Sequence, residues 1–221
     1  MRHAVATILW KDLKIEMRTK EAFSASLVFS ILVLVIFNFT MDLSSDEARK
    51  LGAGFLWIAF AFAGILSLNR SFALEREENC VQGMLLAPVD RAAIYVAKFL
   101  ANTIFMFGTG ILILPLFAIF FNVGIGDQFW LLLLILLLGI IGFSSVGTLF
   151  SAIAVQTRMR EVLLPILLFP ITVPVLIAAV EATAYVLGAQ EQASFWFKLL
   201  IVYDVIFVTA SFLTFEYVIQ E

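Results

Sequence analysis

The chain contains six long apolar runs, and the segments that connect them are too short to fold as soluble domains. A helix needs roughly 20 apolar residues to cross a bilayer core, and backbone polar groups in lipid must be paired within the helix. The sequence therefore predicts an all-α membrane protein with six transmembrane helices. Five runs carry no charged residue and the last carries three: 22–41, 51–69, 99–126, 128–155, 162–180 and 196–218.

Basic residues are distributed unevenly between the connecting segments. With six spans and a cytoplasmic N-terminus, eleven of the 14 Lys and Arg residues fall on the cytoplasmic side. This positive-inside bias predicts that both termini are cytoplasmic and that residues 1–221 form one transmembrane domain. The cytoplasmic set is Arg2, Lys11, Lys14, Arg18, Lys20, Arg70, Arg76, Arg91, Lys98, Arg158 and Arg160; the other set is Arg49, Lys50 and Lys198.

The composition argues against catalysis by this chain. Hydrophobic residues make up 62% of the sequence and charged residues 14%. The sequence has no G-x-x-x-x-G-K-[ST] phosphate loop, so it cannot hydrolyse ATP by that route. His3 and Cys80 are the only histidine and cysteine, too few for a metal centre or a Ser-His pair. We expect no catalytic residue, no metal and no cofactor bound by this chain alone.

The segment before the first run has helical amphipathicity. Polar residues recur at three- and four-residue spacings, and apolar residues form the opposing stripe. We predict an interfacial helix over residues 1–21, with an aromatic ring at the headgroup level. Two roles remain open, because periodicity alone does not distinguish them: a simple anchor, which we favour, or an elbow that transmits force into the first span. The candidate interfacial residues are Trp10, Lys11, Lys14 and Arg18.

The loop between the second and third spans, residues 70–91, has the densest charge pattern. An acidic and basic cluster at 75–78 precedes a short apolar stretch at 84–87, and then Pro88 breaks the chain. Asp90 is placed to cap the next helix, with Lys98 two turns further on. A helix with both charge and exposed apolar residues is suited to docking a partner. On spacing alone a solvated loop is slightly favoured.

The fifth span contains Pro165, Pro170 and Pro174. Each proline removes a backbone donor and bends its helix, which suits a span that changes shape or lines a cavity. Passive tolerance is the alternative, because proline is common in membrane helices. In the fourth span, small residues form one face, which favours close packing within the chain over a subunit interface. They are Gly139, Gly142, Ser144, Ser145, Gly147, Thr148 and Ser151.

Two acidic residues lie within the last two spans, and a third, Glu216, is expected at the cytoplasmic boundary of the sixth. Glu181 is late in the fifth span, and Asp204 is about two turns into the sixth. Charges in lipid are costly and usually indicate a polar cavity, a partner or a transport path. An interfacial position, with the side chain reaching water, is an equally good explanation at this point.

Several stretches together resemble one family of membrane proteins. The sequences at 72–77, 83–88 and 97–98 resemble the cytoplasmic coupling-helix loop of type-2 ABC permeases. More specifically, FPITVPVLI at 169–177 and GFLWIA at 54–59 are similar to the haem-exporter permease of cytochrome c maturation, the CcmB family. One departure is Asn79-Cys80, where many such permeases have a glycine.

The resemblance implies an inner-membrane permease subunit of an ABC complex that exports or delivers haem, with ATP hydrolysed on a partner. Its implied partners are an ABC ATPase that binds ATP-Mg, a haem-handling membrane subunit, a small single-span subunit, a periplasmic haem chaperone and lipid, with no nucleic acid. The implied ATPase-docking residues are Glu75, Arg76, Glu77, Glu78, Gly83, Leu85 and Leu86.

Two alternatives remain beside this expectation. The chain could be a type-2 permease for another cargo, such as a lipid, a drug or a polysaccharide. It could also be a scaffold through which no cargo passes. The candidate conformational or cavity residues in all three cases are Pro165, Pro170, Pro174, Glu181 and Asp204.

Overall fold

The computed structural model describes residues 2–40, 45–77, 90–124, 126–155, 157, 159–189 and 193–218. In this part of the chain the secondary structure consists of seven α-helices and one short 3-10 helix at Gly126–Gln128. The helices are α1 Arg2–Thr19, α2 Glu21–Thr40, α3 Ser45–Glu77, α4 Arg91–Phe120, α5 Phe129–Ala154, α6 Arg160–Val186 and α7 Ser194–Val218.

Helices α2 to α7 are each long and apolar enough to cross a membrane. The prediction of an all-α membrane protein with six spans is therefore confirmed. Helix α3 is longer than its apolar segment, Leu51–Ser71, at both ends. Its 33 residues extend over about 50 Å, against roughly 30 Å for a hydrocarbon core, so both of its ends leave the lipid.

Successive spans run in opposite directions. The hydroxyl of Ser151, near the end of α5, donates to the Leu68 carbonyl of α3 at 2.6 Å. In the other half of the bundle the Trp57 indole of α3 donates to Thr183 of α6 at 2.9 Å. The ends of α3, α5 and α7 and the starts of α2, α4 and α6 therefore lie together. We name this the α1 end of the bundle, and the opposite one the far end.

The small residues of α5 let large side chains of neighbouring helices approach its backbone. A methyl group added at Gly139 would overlap the Trp57 ring, and one added at Gly147 would overlap Leu68. Both partners lie on α3, which fits tightly along the α5 backbone. The small-residue face is thus packed inside the chain, as expected of intramolecular packing.

Hydrogen bonds between side chains join α4 to the same face of α5. The Asn102 amide donates to the Thr148 hydroxyl at 3.0 Å, and the hydroxyls of Thr103 and Ser144 are 2.7 Å apart. All four residues are buried. Polar side chains in lipid are stable where they pair with each other, so these bonds fix the register of α4 against α5.

The Gly139→Ala variant should unfold more easily than the wild type. The added methyl must displace the Trp57 ring, and overpacking of this kind costs about 1–3 kcal/mol. Gly108→Ala is the matched control, because nothing lies within 4 Å of a Cβ at that helical glycine. Thermal unfolding of the purified proteins in detergent measures the difference. Equal stability of the two variants would show that the α3–α5 contact is not tight.

Candidate functional site

Five charged residues from four helices meet at the α1 end of the bundle. They lie where α1 turns into α2 and where α3 and α4 flank the 70–91 loop. We name this cluster the polar junction. Its members are Asp12 and Glu16 of α1, Glu21 of α2, Arg70 of α3 and Lys98 of α4.

Lys98 is the centre of the polar junction. Its side chain is 1% exposed, two turns into α4. The ammonium nitrogen lies 3.0 Å from a carboxylate oxygen of Asp12 and donates to the Ser71 carbonyl at 2.9 Å. A buried charge is tolerated only when it is paired and hydrogen-bonded, so this lysine holds α1, α3 and α4 in one arrangement.

Glu16 fixes the elbow between α1 and α2. Lys20 lies between the helices with a φ of 55°, in the left-handed region, which costs a non-glycine residue roughly 1–2 kcal/mol. The lysine side chain has no acceptor for the first backbone N–H groups of α2, and among these groups the Lys20 carbonyl accepts only from the Ser24 N–H, at 2.9 Å. The Glu16 carboxylate instead accepts from the Phe23 backbone N–H at 2.8 Å, and its charge favours the helix N-terminus. The elbow is therefore held by a side chain from the preceding helix.

An ion pair between Glu21 and Arg70 joins the first turn of α2 to α3. Both side chains are partly exposed, so the pair contributes less than the buried one. A cavity of about 50 Å³ lies between these helices, and Asp12, Glu16 and Asn102 contribute to its wall. Its volume is sufficient for water, and these three side chains give it polar groups beside a largely apolar wall.

The helix predicted at the N-terminus is present as α1, whereas its interfacial position stays a prediction, and its packing differs from the expected amphipathic pattern in one respect. Trp10, Lys14 and Arg18 are exposed, and Lys11 lies 3.3 Å from Asp12. The most buried residue of α1, however, is an acid, Glu16. Sequence reasoning missed the inward-facing acid pair; the signal was two acids four residues apart on α1 and one lysine within the apolar start of α4.

The predicted docking residues lie mostly outside the described part of the chain. Glu75, Arg76 and Glu77 form the last turn of α3, with only their backbone described, and Asp90 caps α4 by accepting from the Ala92 N–H. The 70–91 loop therefore begins as a helical continuation of α3. The remaining candidates, Glu78, Gly83, Leu85 and Leu86, lie outside the described residues.

The candidate residues of the last two spans lie apart from the polar junction. Helix α6 is continuous through Pro165, Pro170 and Pro174. Glu181 is partly buried, whereas Asp204 is 7% exposed inside the bundle. The Asp204 side chain therefore lies inside the bundle and is not exposed at its surface, as an interfacial position reaching water would require. The conformational role of all five residues stays a prediction.

The described residues include no group of three or more His, Cys, Asp or Glu side chains placed to hold a metal ion. The ion pairs and hydrogen bonds of the polar junction join the start of the 70–91 loop to α1 and, through the elbow, to α2.

Removing either partner of the buried ion pair should destabilise the protein. Asp12→Asn removes the carboxylate that pairs with the buried Lys98, and we expect a cost of about 3 kcal/mol. Lys98→Gln leaves Asp12 with Lys11, 3.3 Å away, so we expect a smaller cost. The double variant should lose about 1–3 kcal/mol less than the sum. Thermal unfolding in detergent gives the three values, with exposed Lys14→Gln as the control. Additive losses would rule out direct coupling.

Comparison with known proteins identifies the family. Residues 3–219 match the sequence model described as CcmB protein. Heme exporter protein B of Rhodobacter capsulatus is 31% identical over 174 residues, which is 79% of each chain. Heme exporter protein B of Pseudomonas aeruginosa is 29% identical over 177 residues, 80% of this chain and 79% of that protein. The family match spans almost the whole sequence, and the chain belongs to the CcmB family.

Proposed function

We propose that this chain is the membrane permease subunit of an ABC transporter complex that exports or delivers haem for cytochrome c maturation. The observation that carries the proposal is its membership of the CcmB family over residues 3–219. The relatives named Heme exporter protein B cover four fifths of the chain and agree with a haem cargo. The six-helix bundle supplies the membrane part that such a complex requires.

In this proposal the chain is a transporter subunit and not an enzyme. A separate ATPase binds ATP-Mg and docks on the 70–91 loop from the cytoplasm. A haem-handling membrane subunit, a small single-span subunit and a periplasmic haem chaperone complete the assembly. The chain itself lies in the bacterial inner membrane with both termini in the cytoplasm. This topology places the α1 end, with its excess of Lys and Arg, on the side where ATP is available.

The polar junction supports a path for mechanical coupling. Helix α3 continues through Arg70 and Ser71 to Glu77, so motion of the loop acts on a rigid helix. The Ser71 carbonyl is bonded to Lys98, which is paired with Asp12 of α1. A displacement of the loop therefore changes the position of α1 relative to α4. Favouring one of two bundle states in this way is what coupling requires.

The elbow carries the same displacement into the first span. Glu16 bonds the backbone of α2 directly, and Glu21 of α2 pairs with Arg70 of α3. Helix α2 is thus held from both sides by residues that move with α1 and α3. This geometry favours the force-transmitting role of the N-terminal helix over a simple anchor.

Charge reversal in the last turn of α3 should weaken recruitment of the ATPase. Glu75→Lys combined with Glu77→Lys changes the charge of the proposed docking surface by four units, and we expect at least a tenfold loss of co-purified ATPase, about 1.4 kcal/mol or more. Glu216→Lys, at an exposed position of the α1 end, is the control. Membrane insertion should be unchanged in both. Full recovery of the ATPase with the double variant would exclude docking through these acids.

Deletion of the gene should abolish c-type cytochromes and leave other haem proteins at normal levels. Haem staining and spectra of membranes measure both classes. The wild-type gene and the control variant Lys14→Gln should restore c-type cytochromes. Asp12→Asn should restore them poorly, although the ATPase should still co-purify with this variant. Normal c-type cytochromes in the deletion strain would reject haem as the cargo.

A further inference from the structure

Among the described residues, Asp204 is the one acidic residue that is buried near the middle of a span. The middles of two neighbouring spans pack against it. It is ten residues from the start of α7 and fourteen from its end. Its neighbours are equally central, since Gly142 is near the midpoint of α5 and Val175 near that of α6. At 1.5 Å per residue, the carboxyl group is about 15 Å from the nearer end of its helix.

The carboxyl group fits into a space left for it by a glycine. A Cβ at Gly142 would lie 2.6 Å from one carboxylate oxygen of Asp204, and 2.9 Å from both Tyr203 and Val175. The aspartate is 93% buried, and neither oxygen has a hydrogen-bond partner among the described residues. The small-residue face of α5 thus covers the carboxyl group of Asp204. This group points toward α5 and has no hydrogen-bond donor among the described residues.

No positive charge faces Asp204 from the helices that pack on α7, which are α4, α5 and α6. Helix α5 contains no ionisable residue, and the ionisable residues of α6 are Arg160 and Glu161 at its start and Glu181 and Tyr185 near its end. On α4, Lys98 is paired with Asp12 and donates to the Ser71 carbonyl at the α1 end of the bundle. The other ionisable residues of α4, Tyr95 and Arg91, lie closer still to that end.

On α7 itself the adjacent Tyr203 cannot serve as a donor to Asp204. Its hydroxyl donates to the Ile171 carbonyl at 3.0 Å, three residues before Pro174. Lys198 is six residues before Asp204, or about 9 Å along the helix, and Glu216 and Tyr217 are near the opposite end. An ionised carboxylate at this position would face a penalty of several kcal/mol with no cation to offset it. The neutral acid avoids that penalty.

We propose that Asp204 is a proton-binding site at the centre of the α5–α7 packing, occupied while these helices are closed and emptied to water when they separate. The ligand is a proton, which moves from the carboxyl oxygen to entering water and leaves the carboxylate hydrated. Closing the three helices then takes up one proton. The equilibrium between closed and open arrangements is accordingly sensitive to pH, whatever cargo the complex carries.

The protonation state can be read directly by infrared spectroscopy of the purified protein in lipid nanodiscs. The difference spectrum of the wild type minus Asp204→Asn at neutral pH should contain the C=O stretch of a protonated carboxyl group. Glu216→Gln, which removes an exposed carboxyl from the same helix, should show only the loss of carboxylate bands. A wild-type difference spectrum with carboxylate bands alone would overturn the proposal.

An isotope measurement on the wild type covers the case in which Asp204→Asn does not fold. Protein labelled with ¹³C at the aspartate side-chain carboxyl should show a shifted protonated band at neutral pH, because Asp204 is the only aspartate within the six apolar runs. A protonated band that does not shift, or no such band, would overturn the proposal.

Unfolding equilibria test the linkage to helix separation. The folded state holds a proton that the hydrated carboxylate of the unfolded chain lacks above about pH 5, so the contribution of Asp204 to stability is greatest at low pH and falls as pH rises. Relative to Asp204→Asn, the folded-to-unfolded ratio of the wild type should decrease by up to about tenfold per pH unit. Parallel pH profiles for the two proteins would show that Asp204 binds no proton on packing and would refute the linkage.

Discussion

Helices in lipid gain nothing by exchanging contacts with acyl chains for contacts with other apolar side chains, so the bundle depends on close backbone approach and on polar pairing. Helix α5 provides both. Its glycines admit Trp57 and Leu68 of α3, and its hydroxyl groups bond Asn102 and Thr103 of α4. Because α3 and α4 flank the 70–91 loop, the contacts that hold the bundle also fix the position of the helices that present this loop.

The membrane helices could be predicted from the sequence because the bilayer determines both the length of an apolar run and the helical structure that it must adopt. A bilayer leaves the chain only helices of sufficient apolar length, and six runs satisfy that condition. The amphipathic period of residues 1–21 predicted α1, because apolar and polar residues that alternate at helical spacing form two faces of one helix. Helix α3 shows the limit of this argument, because its ends extend beyond the apolar segment, and residues in water carry no hydropathy signal for continued helix.

The polar junction could not be predicted in the same way, because its partners are distant in sequence. Lys98 is 86 residues from Asp12, and only the packing of α1 on α4 brings them together. Periodicity assigns acidic residues to the solvent face, whereas Glu16 is buried by its bond to the Phe23 N–H. The sequence identified Asp204 as unusual, but its burial depends on Gly142 of another helix. Pairing between helices is a tertiary property that composition and spacing do not contain.

Two buried ionisable residues of the described chain, Lys98 and Asp204, are stabilised in opposite ways, and the difference suits their positions. Lys98 lies near the α1 end, where α1 supplies a carboxylate and the end of α3 supplies a carbonyl, so the charge is retained and holds three helices together. Asp204 lies about 15 Å deep among apolar residues, where no helix supplies a cation, so the charge is best removed by a proton. The ion pair resists separation of the helices that it joins. A neutralised acid resists it only until water enters, after which ionisation favours the separated state. In the proposed mechanism the α1 end therefore transmits a displacement without opening, whereas the α5–α7 packing responds to the entry of water at Asp204.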